Sequence, residues 1–93
     1  MAKTKEGGVS ADKPLLNKVR QVREKELFWT QNDLRDAVKQ ATKKNIDLKT
    51  IATIEKLNGG TVLMKDRARA GLNLGLKGSG KTEMTFEELY PND

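Results

Sequence analysis

Between residues 30 and 60 two helical periods follow one another with very little chain between them, and this pair constrains the fold more than any other feature. Thr30 stands three residues ahead of Asp33, a hydroxyl N-cap with a carboxylate at the N3 place, so a helix starts there. Leu34, Ala37, Val38 and Ala41 recur at helical spacing and supply its inner face. The segment KKNI breaks that helix, with Asn45 suited to a left-handed conformation, and Asp47 is placed to cap the next. In the next helix Leu48, Ile51, Ile54 and Glu55 fall on one side, and Lys49, Thr50, Thr53 and Lys56 on the other. Asn58, Gly59 and Gly60 end it. Two helices joined by a short polar turn, the second exposing Lys and Thr, form a helix-turn-helix outline.

The flanks add less. Residues 1–13 mix Gly, Ser, Lys and Asp without periodicity and read as a flexible arm, leaving 14–93 as one domain. From Pro14, the spacing of Leu15, Val19 and Val22 predicts a first amphipathic helix ending near Glu26, and Leu27, Phe28 and Trp29 form a short apolar link. After Gly60 two readings stand. A helix over 62–76 would turn Leu63, Ala70 and Leu74 inward, and its Ala, Arg, Lys and Leu content favours it. A hairpin would use the alternation of Leu72, Leu74 and Leu76, a GSG turn, and the alternation of Thr82, Met84 and Phe86. The helix is the preferred reading. Thr85 with Glu88 repeats the capping box and predicts a short closing turn, FEELY. The expected fold is mainly α, a compact helix-turn-helix bundle of four or five helices, with a small C-terminal β-hairpin (a wing) as the alternative for the last third.

One motif points elsewhere. GLKGSGKT, residues 75–82, fits the phosphate-loop pattern G-x-x-x-x-G-K-[ST] through Gly75, Gly80, Lys81 and Thr82. A working phosphate loop follows a buried strand and opens a helix within a parallel sheet. The preceding DRARAGLNLG has no Val or Ile, and only eleven residues follow Thr82, too few for another crossover and strand. The expectation is a basic glycine turn whose Lys77 and Lys81 touch phosphates of a polyanion, with no nucleotide bound. Cys and His are both absent, which removes disulfides, thiolate chemistry, most zinc sites and the usual general base. No enzyme, cofactor or metal is expected.

Charge placement names a partner class. The net charge of +5 is concentrated in the middle. Lys39, Lys43, Lys44, Lys49 and Lys56 face only Asp47 and Glu55 over 39–56; Lys65, Arg67, Arg69, Lys77 and Lys81 face only Asp66 over 61–82. Residues 83–93 carry acids alone, Glu83, Glu87, Glu88 and Asp93. A basic middle suits polyanions, DNA first. No apolar run reaches the length of a membrane span and MAKTKEGGVSADK lacks a signal-peptide core, so a cytoplasmic, soluble protein with no membrane partner is expected.

With these elements in place, the stretch from Leu15 to about Gly60 resembles the Cro and phage-repressor type of helix-turn-helix proteins. The matching places are Arg23 and Glu24, then Thr30, Gln31 and Leu34, then Ile46, Ile51, Ile54 and Glu55; the closing MTFEELYP is similar to the family's last turn. The link ELFW and the second helix with its turn are longer than the family's habit, and Asn45 takes the place of the usual turn glycine. The resemblance implies a sequence-specific regulator of transcription, of phage or mobile-element type, binding a palindromic operator in double-stranded DNA as a homodimer. The first turn of the third helix then enters the major groove, with Asp47, Leu48, Lys49, Thr50 and Thr53 nearest the base edges. Gln31 would bond a phosphate and brace the third helix, Lys43 and Lys44 would flank the backbone, and Arg67 and Arg69 would act on phosphates. Arg23 and Glu55 are expected to meet as a partly buried pair between the first and third helices. Trp29 is expected in the core or at a dimer interface. The alternative function is a protein-interaction module of antitoxin or antirepressor kind, using the acidic tail FEELYPND toward a basic partner.

Overall fold

The computed structural model describes residues 16–93; the arm over 1–13, with Pro14 and Leu15, lies outside them. Helix α1 (Val19–Gln21) runs into a π-helical turn (Val22–Glu26), followed by α2 (Gln31–Thr42), α3 (Leu48–Leu57), α4 (Val62–Gly78) and α5 (Phe86–Leu89). The fold is mainly α. No strand occurs among the described residues, so the wing is replaced by a continuous α4.

Both capping boxes close as expected. Thr30 Oγ1 accepts from the Asp33 N–H at 3.1 Å while Asp33 Oδ2 accepts from the Thr30 N–H at 2.9 Å. Thr85 and Glu88 repeat this at 3.1 and 2.8 Å. The turn between α2 and α3 departs from expectation. Lys43, not Asn45, takes the left-handed conformation, with φ 61°. The cause is Thr42, whose hydroxyl donates back to the Val38 carbonyl and accepts from the Lys44 N–H, so the chain reverses at the residue between. Asp47 occupies the N-cap place of α3, but its side chain makes no capping bond.

The π turn shapes the link into α2. Its Leu27 N–H reaches the Val22 carbonyl at 3.1 Å, a ring one residue wider than an α turn. Leu27 and Trp29 both swing toward α4, and Phe28 between them is thrown outward, 83% exposed at φ 56°.

The core is built from Val19, Val22, Leu34, Val38, Ile46, Ile51, Ile54, Leu72, Leu76, Leu89 and Tyr90. Helix α4 is its central post, and glycine sets how closely α2 and the link approach. A Cβ at Gly71 would lie 2.7 Å from Val38 Cγ2 and 2.9 Å from the Val38 nitrogen; one at Gly75 would lie 2.4 Å from the Trp29 ring. Gly75, the first fixed place of the phosphate-loop pattern, is therefore a packing residue, and Trp29 lies against the core as expected.

The inner face of α4 differs from the expected one. Leu63 and Leu74 are exposed, and Lys65, Ala68, Gly71, Leu72, Asn73 and Leu76 are buried. Beside Leu72 and Leu76 that face is small or polar, and Leu63 and Leu74 stand on the exposed side, so large apolar residues alone do not mark it. The alternation of Thr82, Met84 and Phe86 also has a different origin. This loop lies along the bundle, and the Asn73 side chain pairs with it as a neighbouring strand would, donating to the Met84 carbonyl at 2.9 Å and accepting from its N–H at 2.8 Å.

Candidate nucleic-acid interface

Helix α3 is seated by its apolar stripe and by one ionic clasp. Ile51 and Ile54 are fully buried. On the same side, Arg23 Nε donates to Glu55 Oε2 at 2.7 Å and its second terminal nitrogen to Oε1 at 3.0 Å. Gln31 Nε2 adds a third bond to Oε1 at 3.1 Å, and the remaining Arg23 nitrogen holds the Trp29 carbonyl at 2.9 Å. The two charged side chains are only 7% and 3% exposed, which confirms the expected buried pair. The bond to Glu55 raises the Arg23 pKa above its ordinary value against the opposing effect of burial, so the guanidinium stays charged. A bidentate pair in which each of the three guanidinium nitrogens makes a hydrogen bond is the geometry in which a buried ion pair is tolerated. The clasp ties the π turn, the entry of α2 and the last turn of α3 together, and the outer side of α3 is held at one angle to α2.

Asn17 fixes the same, C-terminal end of α3 from its other side. Its Nδ2 donates to the Ile54 carbonyl and to Asn58 Oδ1, both at 2.8 Å, where Asn58 ends α3 in the left-handed conformation. Asp93 Oδ1 accepts from Asn58 Nδ2 at 2.9 Å and from Lys65 Nζ at 2.7 Å. None of this second anchor is visible in the residue pattern, because Asn17, Lys65 and Asp93 are far apart in sequence and none belongs to an apolar period.

The residues expected to read or hold a duplex are placed as follows. Lys49 and Asp47 are exposed at the first turn of α3, with Leu48 and Thr50 half-buried beside them. Thr53 is half-buried: its hydroxyl donates to the Lys49 carbonyl at 2.9 Å, and its methyl lies against Gly59. Only its oxygen lone pairs and part of the methyl remain for a base. Lys43 and Lys44 are exposed on the turn that leads into α3. Arg67 reaches the same turn from α4, donating to the Asn45 carbonyl at 3.1 Å. Gln31 is spent on the brace to Glu55 through its amide nitrogen. Arg69, two residues beyond Arg67 and so about 200° around the helix, is turned away from this group. It is paired with Asp66 at 2.8 Å and donates to the Met84 carbonyl. The structure thus gathers Lys43, Lys44, Asp47, Leu48, Lys49, Thr50 and Arg67 around the turn and the start of α3, with Thr53 further along α3, and leaves Arg69 elsewhere.

GLKGSGKT lies at the end of α4, not the start of a helix. Its N–H groups turn back onto the helix: Ser79 to the Gly75 and Leu76 carbonyls, Gly80 to Lys77 and Lys81 to Leu76. Lys81 Nζ donates to the Glu26 carbonyl at 2.7 Å and pairs with its carboxylate at 3.2 Å. A helix C-terminus carries the negative end of the dipole, the wrong sign for a phosphate.

Comparison with protein-family models, with curated proteins and with solved structures returned no match to this chain. No described helix is long and apolar enough to cross a membrane.

Proposed function

We propose that this chain is a sequence-specific binder of double-stranded DNA, a transcriptional regulator of the Cro and phage-repressor type, which reads bases with the first turn of α3 and acts as a homodimer. The observation that carries the reading is the clasp of Arg23, Gln31 and Glu55. It holds α3 rigidly on its buried side while the opposite side presents Lys49 and Thr50 with Lys43, Lys44 and Arg67 alongside. A preformed helix with an outward Lys and Thr fits the major groove, where Lys donates to guanine O6 and N7 and Thr bonds a base edge or packs on a thymine methyl. Asp47, with no cap to make, is placed to accept from cytosine N4. Lys43, Lys44 and Arg67 neutralise phosphates and set the register. No chemistry is asked of any side chain, and the reading requires no cofactor.

Selection of bound duplexes from a random library tests this. The expected outcome is enrichment of one short sequence, present twice with twofold symmetry. Recovery of unenriched duplexes, or none, contradicts it.

A further inference from the structure

Between α2, the last turns of α4 and Trp29 lies an open groove of about 500 Å³. That volume falls in the range of small-molecule sites, roughly 300 to 1,000 Å³. Glycine makes the room. The indole edge is seated on Gly75, where a Cβ would meet it at 2.4 Å, while the Cβ place of Gly78, three residues on, has nothing within 4 Å. Trp29 is only half-buried, and Leu74 beside it is 40% exposed. The groove therefore carries apolar surface that the core does not use.

The polar part of the lining has one sign. Asp33 and Asp36 supply two carboxylates and no Lys or Arg lines the groove, although the chain as a whole carries +5. Two carboxylates on a helix are ordinarily a solvated face. Here two further features favour a cation. The C-terminal end of the 17-residue α4 brings the negative pole of its dipole to the groove, and the Gly78 carbonyl takes no donor among the described residues. The indole ring adds its π electrons, which attract a cation laid over them. Neither carboxylate is fully spent. Asp33 uses Oδ2 to hold the Thr30 N–H, and Arg35 stands 3.6 Å from Asp36 Oδ1, an exposed pair that contributes little.

We infer that this groove is a binding site for a small organic cation, a guanidinium or ammonium head on an apolar stem. The head lies by Asp36 and the end of α4, and the stem lies on Trp29 and Leu74. An arginine of another protein carries the same head, but a specific protein interface needs about 1,000 Å² in all, and the exposed apolar lining here stops at Trp29 and Leu74. The free molecule is the better fit. The site does not depend on duplex reading, yet it adjoins the seat of α3, because the Trp29 carbonyl accepts from Arg23 of the clasp at 2.9 Å.

The chain has one tryptophan, so Trp29 emission reports occupancy of the groove in the full chain. Titration with hexylguanidinium is expected to give a saturable change at about millimolar concentration. Hexylurea, its neutral isostere, and methylguanidinium, the head alone, should give none. Asp36→Asn should weaken binding about threefold. Gly78→Leu, which puts a side chain where there is now open space, should abolish the saturable change. Both variants should keep the native circular dichroism spectrum, since Asp36 is exposed and the Gly78 Cβ position is clear. No saturable change, one that hexylurea or methylguanidinium reproduces, or one that either variant leaves intact overturns the inference. An arginine tripeptide that saturates the signal where hexylguanidinium does not overturns it as well, and assigns the groove to a protein partner. No duplex enters this titration, so its failure leaves the proposed function untouched, and failure of that function leaves the site standing.

Discussion

Helices α3 and α4 both bury one side in the same core, but by different means. Helix α3 is held by Ile51 and Ile54 and by a charged clasp outside the apolar stripe. Helix α4 is held by close approach. Gly71 and Gly75 bring it against Val38 and Trp29, while Lys65 and Asn73 lie buried on the same helix with their polar ends satisfied by Asp93 and Met84. Large apolar side chains mark the inner face of α3, whereas in α4 they stand on both sides, Leu72 and Leu76 buried and Val62, Leu63 and Leu74 exposed. The two helices thus differ in what a substitution does: α3 fails by losing a partner, α4 by gaining a methyl.

The largest effect that would break this contrast lies in the clasp. Removing Glu55 or Arg23 alone leaves a buried, unpaired charge, and Glu55→Ala is expected to cost about 3 to 5 kcal/mol. Thermal and denaturant unfolding of Glu55→Ala, Arg23→Ala and the double variant checks this, with strong coupling in the cycle expected. Gln31→Ala should cost about 1 kcal/mol, because it removes one of three bonds to the carboxylate.

Glycine sharpens the contrast at a smaller scale. Alanine in place of glycine inside a helix ordinarily gains up to about 1 kcal/mol. Gly71→Ala should reverse that sign and destabilise by about 1 to 3 kcal/mol, because the new methyl meets the Val38 backbone as well as its side chain. Gly78→Ala, with nothing within 4 Å of its Cβ position, should keep the favourable sign. Opposite shifts in melting temperature for the two variants are the expected result.

The smallest expected effect concerns pH and the segment that closes over α4. The Thr85 N–H and hydroxyl hold the Glu88 carboxyl below the usual range, and the Lys65 ammonium, with Asn58, does the same for Asp93. Carboxylates with a lower pKa in the folded chain add stability above their unfolded pKa and lose it as pH falls through the folded one. Stability should therefore decline below about pH 4, with residues 84–93 loosening first. Tyr90, buried with its hydroxyl donating to the Lys65 carbonyl at 2.7 Å, reports that loosening by becoming accessible to solvent. Asp93→Asn should flatten the acid limb of a pH series of melting temperatures.

The same contrast explains what was legible in the sequence. Helices α2 and α3 and both capping boxes are readable because each rests on local spacing; the need of Glu55 for a partner is readable from its place beside the apolar face, and the choice of Arg23 came from the resemblance. The face of α4 is not readable. Its contacts depend on which residues are small enough to let another helix approach, and on polar partners such as Asn17 with Ile54 and Asn73 with Met84, whose pairing is set only by the assembled fold. The left-handed residue fell on Lys43, because the Thr42 hydroxyl decides where the chain reverses and the intrinsic preference of Asn45 does not. Lys43, Lys44, Asp47 and Lys49 were legible as exposed positions of α3 and its turn, whereas Leu48, Thr50 and Thr53 are half-buried. The separation of Arg67 from Arg69 was not legible, since both lie in one basic run and only the helix places them about 200° apart.

The central claim is that α3 reads sequence while the cations around its turn supply general affinity. It is tested most directly by measuring the binding of native chain, Lys49→Ala and Lys43→Ala to a selected duplex and to random duplexes across a salt series. Lys49→Ala is expected to lose discrimination, about 1 to 3 kcal/mol on the selected duplex, with less change on random ones. Lys43→Ala should weaken both duplexes alike and lower the salt slope by about one unit. Equal losses on both duplexes for both variants would contradict the claim that α3 is the reader.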